Sequence, residues 1–186
     1  MSTLSNSRYH HGNLRQALLE AGLVILARDG EAGLGLRDLA RAVGVSPAAP
    51  YRHFDSRAAL LEALAVTGFQ RFTARMEAVA ASKPENPLAA MGKTYVVFAL
   101  QNPNLFRLMF SPQLKKAAQP GLAMAADAAF DTLRRVVSDS SAEGRIKALS
   151  AWAKVHGLAV LLLDGQIAIR AGEDTEALIA EIISSL

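Results

Sequence analysis

Apolar residues recur along this chain at intervals of three and four and nowhere at strict intervals of two, so the pattern predicts helices throughout and no strand. Leu14, Leu18, Ala21 and Ile25 line one face of a first helix, which "RDGEAG" ends with Gly30 as a left-handed cap. Leu36, Leu39 and Val43 mark a shorter second helix that stops at Gly44, where so tight a turn requires a positive φ. Ala40, four residues before that glycine, has only a methyl side chain and lets two helices cross closely. Further helices are expected at 56–81, 88–101, 103–110, 120–137, 142–171 and 175–185, the first capped by Asp55 and followed by the breaker "SKPENP". Residues 148–169 are apolar almost all round, as in a helix buried on several sides.

After its turn the second helix leads into "GVSPAAPYRHF", residues 44–54, which holds two prolines where the pattern starts a helix. Ser46 is a good N-cap, whose hydroxyl can accept from the N–H of Ala48 or Ala49. Pro47 is then the first helical residue, where a missing N–H had no partner in any case. Pro50 is the fourth, and forfeits one bond to the Ser46 carbonyl. The expectation is a helix over 47–54 with a stiff first turn. Ala48 and Ala49 let its backbone approach a surface, while Tyr51, Arg52 and His53 offer hydroxyl, guanidinium and imidazole donors. Such a helix is about 12 Å long, enough to lay its first turn across a few base-pair edges of DNA. Arg52 then reaches a guanine, an alanine methyl packs on a thymine methyl, and Tyr51 and His53 bind phosphate. The competing reading is a packing unit with Tyr51 and Phe54 as core aromatics.

With 186 residues, 51% of them hydrophobic, the chain can bury a sizeable core in one or two domains. It has no cysteine, which removes disulfides and thiolate metal sites. "MSTLSNSRYHH" lacks an apolar leader core, and the longest apolar run, "GLAVLLL", is far short of the roughly 20 residues that span a bilayer, so a soluble cytoplasmic protein without a membrane partner is expected. The formal net charge is +3, and residues 1–57 carry seven Lys and Arg against five Asp and Glu. There is no GxSxG, HExxH or phosphate-cradling GxxxxGK[ST], and Gly33 and Gly35 make only an isolated GxG. His10, His11, His53 and His156 are too scattered for a metal site. No catalytic residue, metal or cofactor is expected.

"LRDLARAVGVSPAAPYRHFDSRAALLEAL" resembles the DNA-binding region of a TetR-type transcriptional regulator. The resemblance extends upstream to "RYHHGNLRQALLEAGLVILARDG" and downstream to "NPNLFRLMF" and "WAKVHGLAVLLLDG". The last is similar to the regulatory domain named for a Trp and His-Gly signature, here Trp152, His156 and Gly157. The fold it implies is all-α: an N-terminal three-helix helix-turn-helix domain with a flexible arm, residues 1–55, joined by a long helix to a helical ligand-binding and dimerisation domain, residues 56–186.

Carried over by position, the resemblance implies DNA contacts from Arg37, Ser46, Pro47, Ala48, Ala49, Tyr51, Arg52 and His53. Arg57 falls where a lysine usually touches phosphate; it keeps the charge but offers a fork. Gly35 departs from the Ser or Thr that usually caps the second helix and binds phosphate. The arm residues Arg8, Tyr9, His10 and His11 either reach the duplex or form a disordered tail.

For the second domain the resemblance implies a cavity for a small apolar effector, with Phe69, Phe72, Met76, Tyr95, Phe98, Phe106, Met109, Phe110, Trp152 and His156 as lining; the bland alternative is that they fill a helical core. Trp152 and His156, four apart, share a helix face. Leu158, Leu162 and Ile167, with Leu178, Ile179, Ile182, Ile183 and Leu186, resemble the family's homodimer interface, a four-helix bundle.

The implied function is a homodimeric repressor of double-stranded DNA. Two recognition helices about 34–36 Å apart read an inverted-repeat operator, and an effector that prefers another spacing releases it. Moving the equilibrium from 99:1 to 1:99 takes about 5.5 kcal/mol of differential binding, with the 56–81 helix as the expected lever. Two alternatives stay open: a helical carrier of apolar molecules without sequence-specific DNA binding, and a regulator with no ligand.

Overall fold

The computed structural model describes residues 14–117, 120–137 and 141–184, the side chains of 115–117 excepted. Arg8, Tyr9, His10, His11 and Leu186 lie outside the described residues. Within them every regular element is helical, as the spacing predicts. The chain divides into two compact units, Met1–Leu60 and Leu61–Leu186.

The first unit contains α1 (Leu14–Asp29), a 3-10 turn at Glu31–Gly33, α2 (Leu36–Val43) and a second 3-10 turn at Pro50–Arg52. Leu18, Leu26, Leu39, Ala40, Pro50 and Phe54 form its core. Gly30 closes α1 at φ 70°, its N–H bonded to the Leu26 carbonyl at 3.0 Å. Gly44 sits at φ 75° and ψ 33°, with Val45 N–H on the Ala40 carbonyl at 2.9 Å and Gly44 N–H on that of Arg41 at 3.3 Å. That paired geometry is a Schellman end, which glycine enters without a Cβ penalty. Gly35 is the N-cap of α2 and supplies no side-chain cap.

Residues 47–54 correct the sequence reading. They form a turn followed by the short 3-10 element, and Tyr51 and Arg52 sit in that element instead of an α-helix. Without an N–H at Pro50, the Ser46 carbonyl has no i+4 donor and accepts instead from Ala49 N–H at 3.0 Å. The next two bonds keep the i+3 spacing, Arg52 to Ala49 at 3.2 Å and His53 to Pro50 at 3.0 Å, and Phe54 N–H closes the element on the same Pro50 carbonyl at 3.0 Å. No side-chain cap bond forms at this element. The following helix, α3 (Arg57–Ala81), is capped by Ser56 in place of the expected Asp55: Ser56 Oγ accepts from Ala59 N–H at 3.1 Å.

The second unit takes most of α3 and adds α4 (Pro87–Gln101), α5 (Pro103–Met109), α6 (Pro112–Ala117), α7 (Pro120–Val137), α8 (Ala142–Leu163) and α9 (Thr175–Ser184). Proline stands at the first position of α4, α5, α6 and α7, where it costs no hydrogen bond. Asn86 caps α4, accepting from Ala89 N–H at 3.0 Å, and Ser141 caps α8, accepting from Gly144 N–H at 3.2 Å. α4 is central, packed on α5, α7, α8 and α9. A methyl built on Gly92 would stand 3.2 Å from both Val155 and Ile183, so glycine lets α8 and α9 close on α4.

α8 ends at Leu163, eight residues before the 171 expected. Asp164 and Gly165 stop it: Gly165 takes φ 66°, Gln166 N–H bonds the Leu161 carbonyl at 2.9 Å and Gly165 N–H that of Leu162 at 3.1 Å, a second Schellman end. Ile167 therefore lies in a loop. By length and apolarity α8 is the one helix among the described residues that could cross a membrane. Gly144, Ala148, Leu158, Ala159 and Leu162 are its buried positions within the chain.

Candidate nucleic-acid interface and ligand cavity

In the first unit the segment after α2 is anchored from within and open outside. Pro50 and Phe54 are buried, whereas Ser46, Pro47, Ala48, Tyr51, Arg52 and His53 are exposed and Ala49 is half-buried. Tyr51 is 48% exposed and Phe54 2%, which separates the pair that the packing reading had joined. Arg37, on α2, is exposed as well. Among the described residues no hydrogen bond or ion pair engages Arg37, Tyr51, Arg52 or His53 through its side chain. By contrast Arg41 pairs with Asp38 and Arg28 with Asp29. A row of donors without intramolecular partners beside two alanines is what an anionic, close-fitting surface requires.

Arg57 is placed differently from the rest of its predicted set. Its Nε donates to the Leu34 carbonyl at 2.8 Å, its Nη2 to the Glu31 carbonyl at 2.5 Å, and its Nη1 lies 3.5 Å from Glu31 Oε1. The fork that distinguishes arginine from lysine is used to fasten the turn between α1 and α2.

The second unit holds a cavity of about 950 Å³ between α3, α4, α7, α8 and α9. Its walls include seven of the expected residues: Phe69, Phe72, Met76, Tyr95, Met109, Phe110 and Trp152. Three expected residues lie elsewhere. Phe98 is buried in the core, edge-on to Phe72 at 5.3 Å and under Arg75. Phe106 and His156 face a separate pocket of about 200 Å³ with Phe110 and Arg107. α7 supplies further walls: Phe130, whose aromatic ring the sequence reading left open between core and cavity, and Leu122 and Leu133, which it passed over. Their spacing on α7 was the available signal, but it does not say that the shared face borders a void.

One polar chain crosses these apolar walls. Trp152 Nε1 donates to the Tyr95 hydroxyl at 3.2 Å, and that hydroxyl meets His156 Nδ1 at 2.8 Å. Burial drives the Tyr95 hydroxyl well above the ordinary tyrosine pKa of 10.0, and the Trp152 bond offsets this only in part. Tyr95 thus stays neutral and serves as a hydrogen-bonding post. Trp152 both lines the cavity and joins this chain, and His156 is tied to it through Tyr95.

Of the residues expected at a dimer interface, Leu158, Leu162 and Ile179 are buried within the single chain. Leu178, Ile182 and Ile167 are half-buried, and Ile183 lines the cavity. The open face of α8 carries Ala153, Gly157 and Leu161 instead; nothing lies within 4 Å of a methyl built on Gly157, and Leu161 is 44% exposed.

Residues 18–64 match the family described as "Bacterial regulatory proteins, tetR family", and residues 88–186 match "Tetracyclin repressor-like, C-terminal domain". Among solved structures the chain is similar to a Rhodococcus sp. RHA1 protein of unknown function, at 36% identity and a TM-score of 0.80, covering 96% of this chain and 94% of that one. It shares its fold with the TetR family transcriptional regulator PfmR from Thermus thermophilus, at 16% identity, a TM-score of 0.62 and coverage of 90% and 94%. It also shares it with the transcriptional regulator FadR from Bacillus subtilis, solved in complex with stearoyl-CoA, at 14% identity, a TM-score of 0.66 and coverage of 91% and 95%. No curated protein sequence matches the chain.

Proposed function

The chain belongs to the TetR family of bacterial regulatory proteins, and from that premise we propose that it is a cytoplasmic, homodimeric repressor that binds an inverted-repeat operator and releases it when a small, largely apolar effector binds. Residues 1–55 are the DNA-binding domain and residues 56–186 the regulatory domain, of the type with the Trp and His-Gly signature at Trp152, His156 and Gly157. The observation that carries the DNA half is the exposed set Arg37, Tyr51, Arg52 and His53, without side-chain partners among the described residues and held out by the buried Pro50 and Phe54. Arg52 is the base-reading residue, Ala48 and Ala49 permit close backbone approach, and Ser46, Tyr51 and His53 hold phosphate. Arg57 acts chiefly by fixing the turn at Glu31–Leu34.

The effector half is supported by the cavity, whose size falls at the upper end of the roughly 300–1,000 Å³ of drug-sized sites. FadR holds stearoyl-CoA in a related fold. α3 supplies Phe69, Phe72 and Met76 to the cavity and Arg57 to the first unit, and is the lever in this proposal. Dimerisation uses the open α8 face at Ala153, Gly157 and Leu161, where a glycine in mid-helix has no role within one chain and allows a partner helix to approach. The test is titration of an enriched duplex and a scrambled one at several salt concentrations. The regulator reading requires sequence preference and a steep salt slope; binding that lacks both favours a carrier.

A further inference from the structure

Among the described residues three charged side chains line the cavity: Asp127, Lys147 and Lys154. Their circumstances differ. Lys147 Nζ is 2.8 Å from Glu143 Oε1, and Lys154 has a partner of its own. Among the described residues nothing pairs with the Asp127 carboxylate. Asp127 is exposed on α7, beside a mouth whose other lining includes Ile146, 62% exposed, and Leu88, 42% exposed. Inside, the rings of Phe69, Phe72, Tyr95, Phe110, Phe130 and Trp152 form the walls. The buried polar atoms among them, Trp152 Nε1 and Tyr95 Oη, already satisfy each other.

Among the described residues an occupant therefore meets apolar, aromatic surface in depth and, at the rim, one charge that is not already offset. An anion would have to draw a lysine from its present partner. A cation meets Asp127 directly, and the negative faces of the aromatic rings favour it further. We propose that the effector is a lipophilic cation: a bulky apolar or aromatic body carrying one positive charge, its body among the rings and its charge toward Asp127. This rests on the reading of the cavity as the effector site and adds the charge of the ligand to it.

The test uses two probes of one shape and opposite charge, tetraphenylphosphonium and tetraphenylborate, titrated calorimetrically into the full chain. The phosphonium is expected to bind at least about tenfold more tightly than the borate. Asp127→Asn is expected to weaken the phosphonium at least about threefold, as loss of a partly exposed ion pair does, and to leave the borate no weaker. Because Asp127 is exposed and has no partner among the described residues, the variant is expected to melt with the parent. Equal or tighter borate binding, an Asp127→Asn variant with unchanged phosphonium affinity, or binding of neither ion overturns the proposal. Operator binding is measured on the same preparation. A chain that takes the phosphonium but binds no DNA sinks the regulator reading alone, and one that binds an operator but prefers the borate sinks this inference alone.

Discussion

Arg57 Nε donates to the Leu34 carbonyl across the opening turn of α3, at 2.8 Å, while the same guanidinium reaches the Glu31 carbonyl at 2.5 Å. Two carbonyls of the turn that delivers the chain into α2 thus accept from one side chain, the Glu31 carbonyl also taking the Leu34 N–H at 3.2 Å. Arg57→Ala is expected to destabilise the protein by about 1–2 kcal/mol, the value of charge-assisted bonds in a half-exposed setting. Arg57→Lys should recover only part of this, since an ammonium cannot make the fork. Thermal or urea melting checks it; an alanine variant as stable as the parent would show that the clamp is idle.

Gly68 on α3 packs tightly against α5. A methyl built there would lie 2.8 Å from Met109 Cγ and Sδ and 3.0 Å from Leu105 Cδ1. Gly68→Ala should cost about 1–3 kcal/mol through overpacking, partly relieved by the flexible methionine. Met109 also lines the cavity, so effector affinity should change with stability. Melting and ligand titration of the one variant read both effects.

Tyr95 gives a pH dependence with a definite sign. Its folded pKa is raised above the ordinary value of 10.0, chiefly by burial, so its contribution to stability is intact below that value and is lost as pH rises above it. Tyr95→Phe should remove that part of the alkaline decline. At neutral pH it should destabilise by about 1–3 kcal/mol, because Trp152 Nε1 and His156 Nδ1 lose a shared partner. Urea melts of parent and variant from neutral pH to about a unit above the ordinary tyrosine pKa test the sign; parallel decline in both would contradict it.

Leu161→Glu places a charge on the open α8 face at little cost to a single chain, about 0.5 kcal/mol or less. Sedimentation should report a folded monomer, with operator affinity much reduced because each half-site is then bound alone. A variant that remains dimeric moves the interface elsewhere.

How far the sequence carried this reading varies residue by residue. Gly44 announced a tight turn and Ala40 a close approach; Gly44 takes the positive φ and Ala40 is buried, because these are local demands, although the partner expected to cross there is a 3-10 turn and not a helix. Pro50 was legible as a lost bond. Its burial beside Phe54, and the 3-10 winding that follows, depend on packing that no local pattern records. Gly165 could have marked the end of α8, yet the apolar residues beyond it continued the helical spacing and masked it. Leu158 and Ile179 show the wider difficulty: spacing identifies an apolar face, while only the fold decides whether it is buried by its own chain or left for another. Phe130 likewise read as apolar, and its place on a cavity wall became visible only when α7 and α8 were set against each other.

Selection of bound duplexes from a random DNA library, at near-physiological salt, with the parent and with Arg52→Ala and Tyr51→Phe, tests the central claim most directly. The parent should enrich an inverted repeat with half-sites one helical turn apart. Arg52→Ala should relax one base position in each half-site and cost about 1–3 kcal/mol there, while Tyr51→Phe should weaken binding evenly across sequences. No enriched repeat in the parent, or the same repeat enriched equally by Arg52→Ala, would contradict the assignment of this exposed row as the DNA-reading surface.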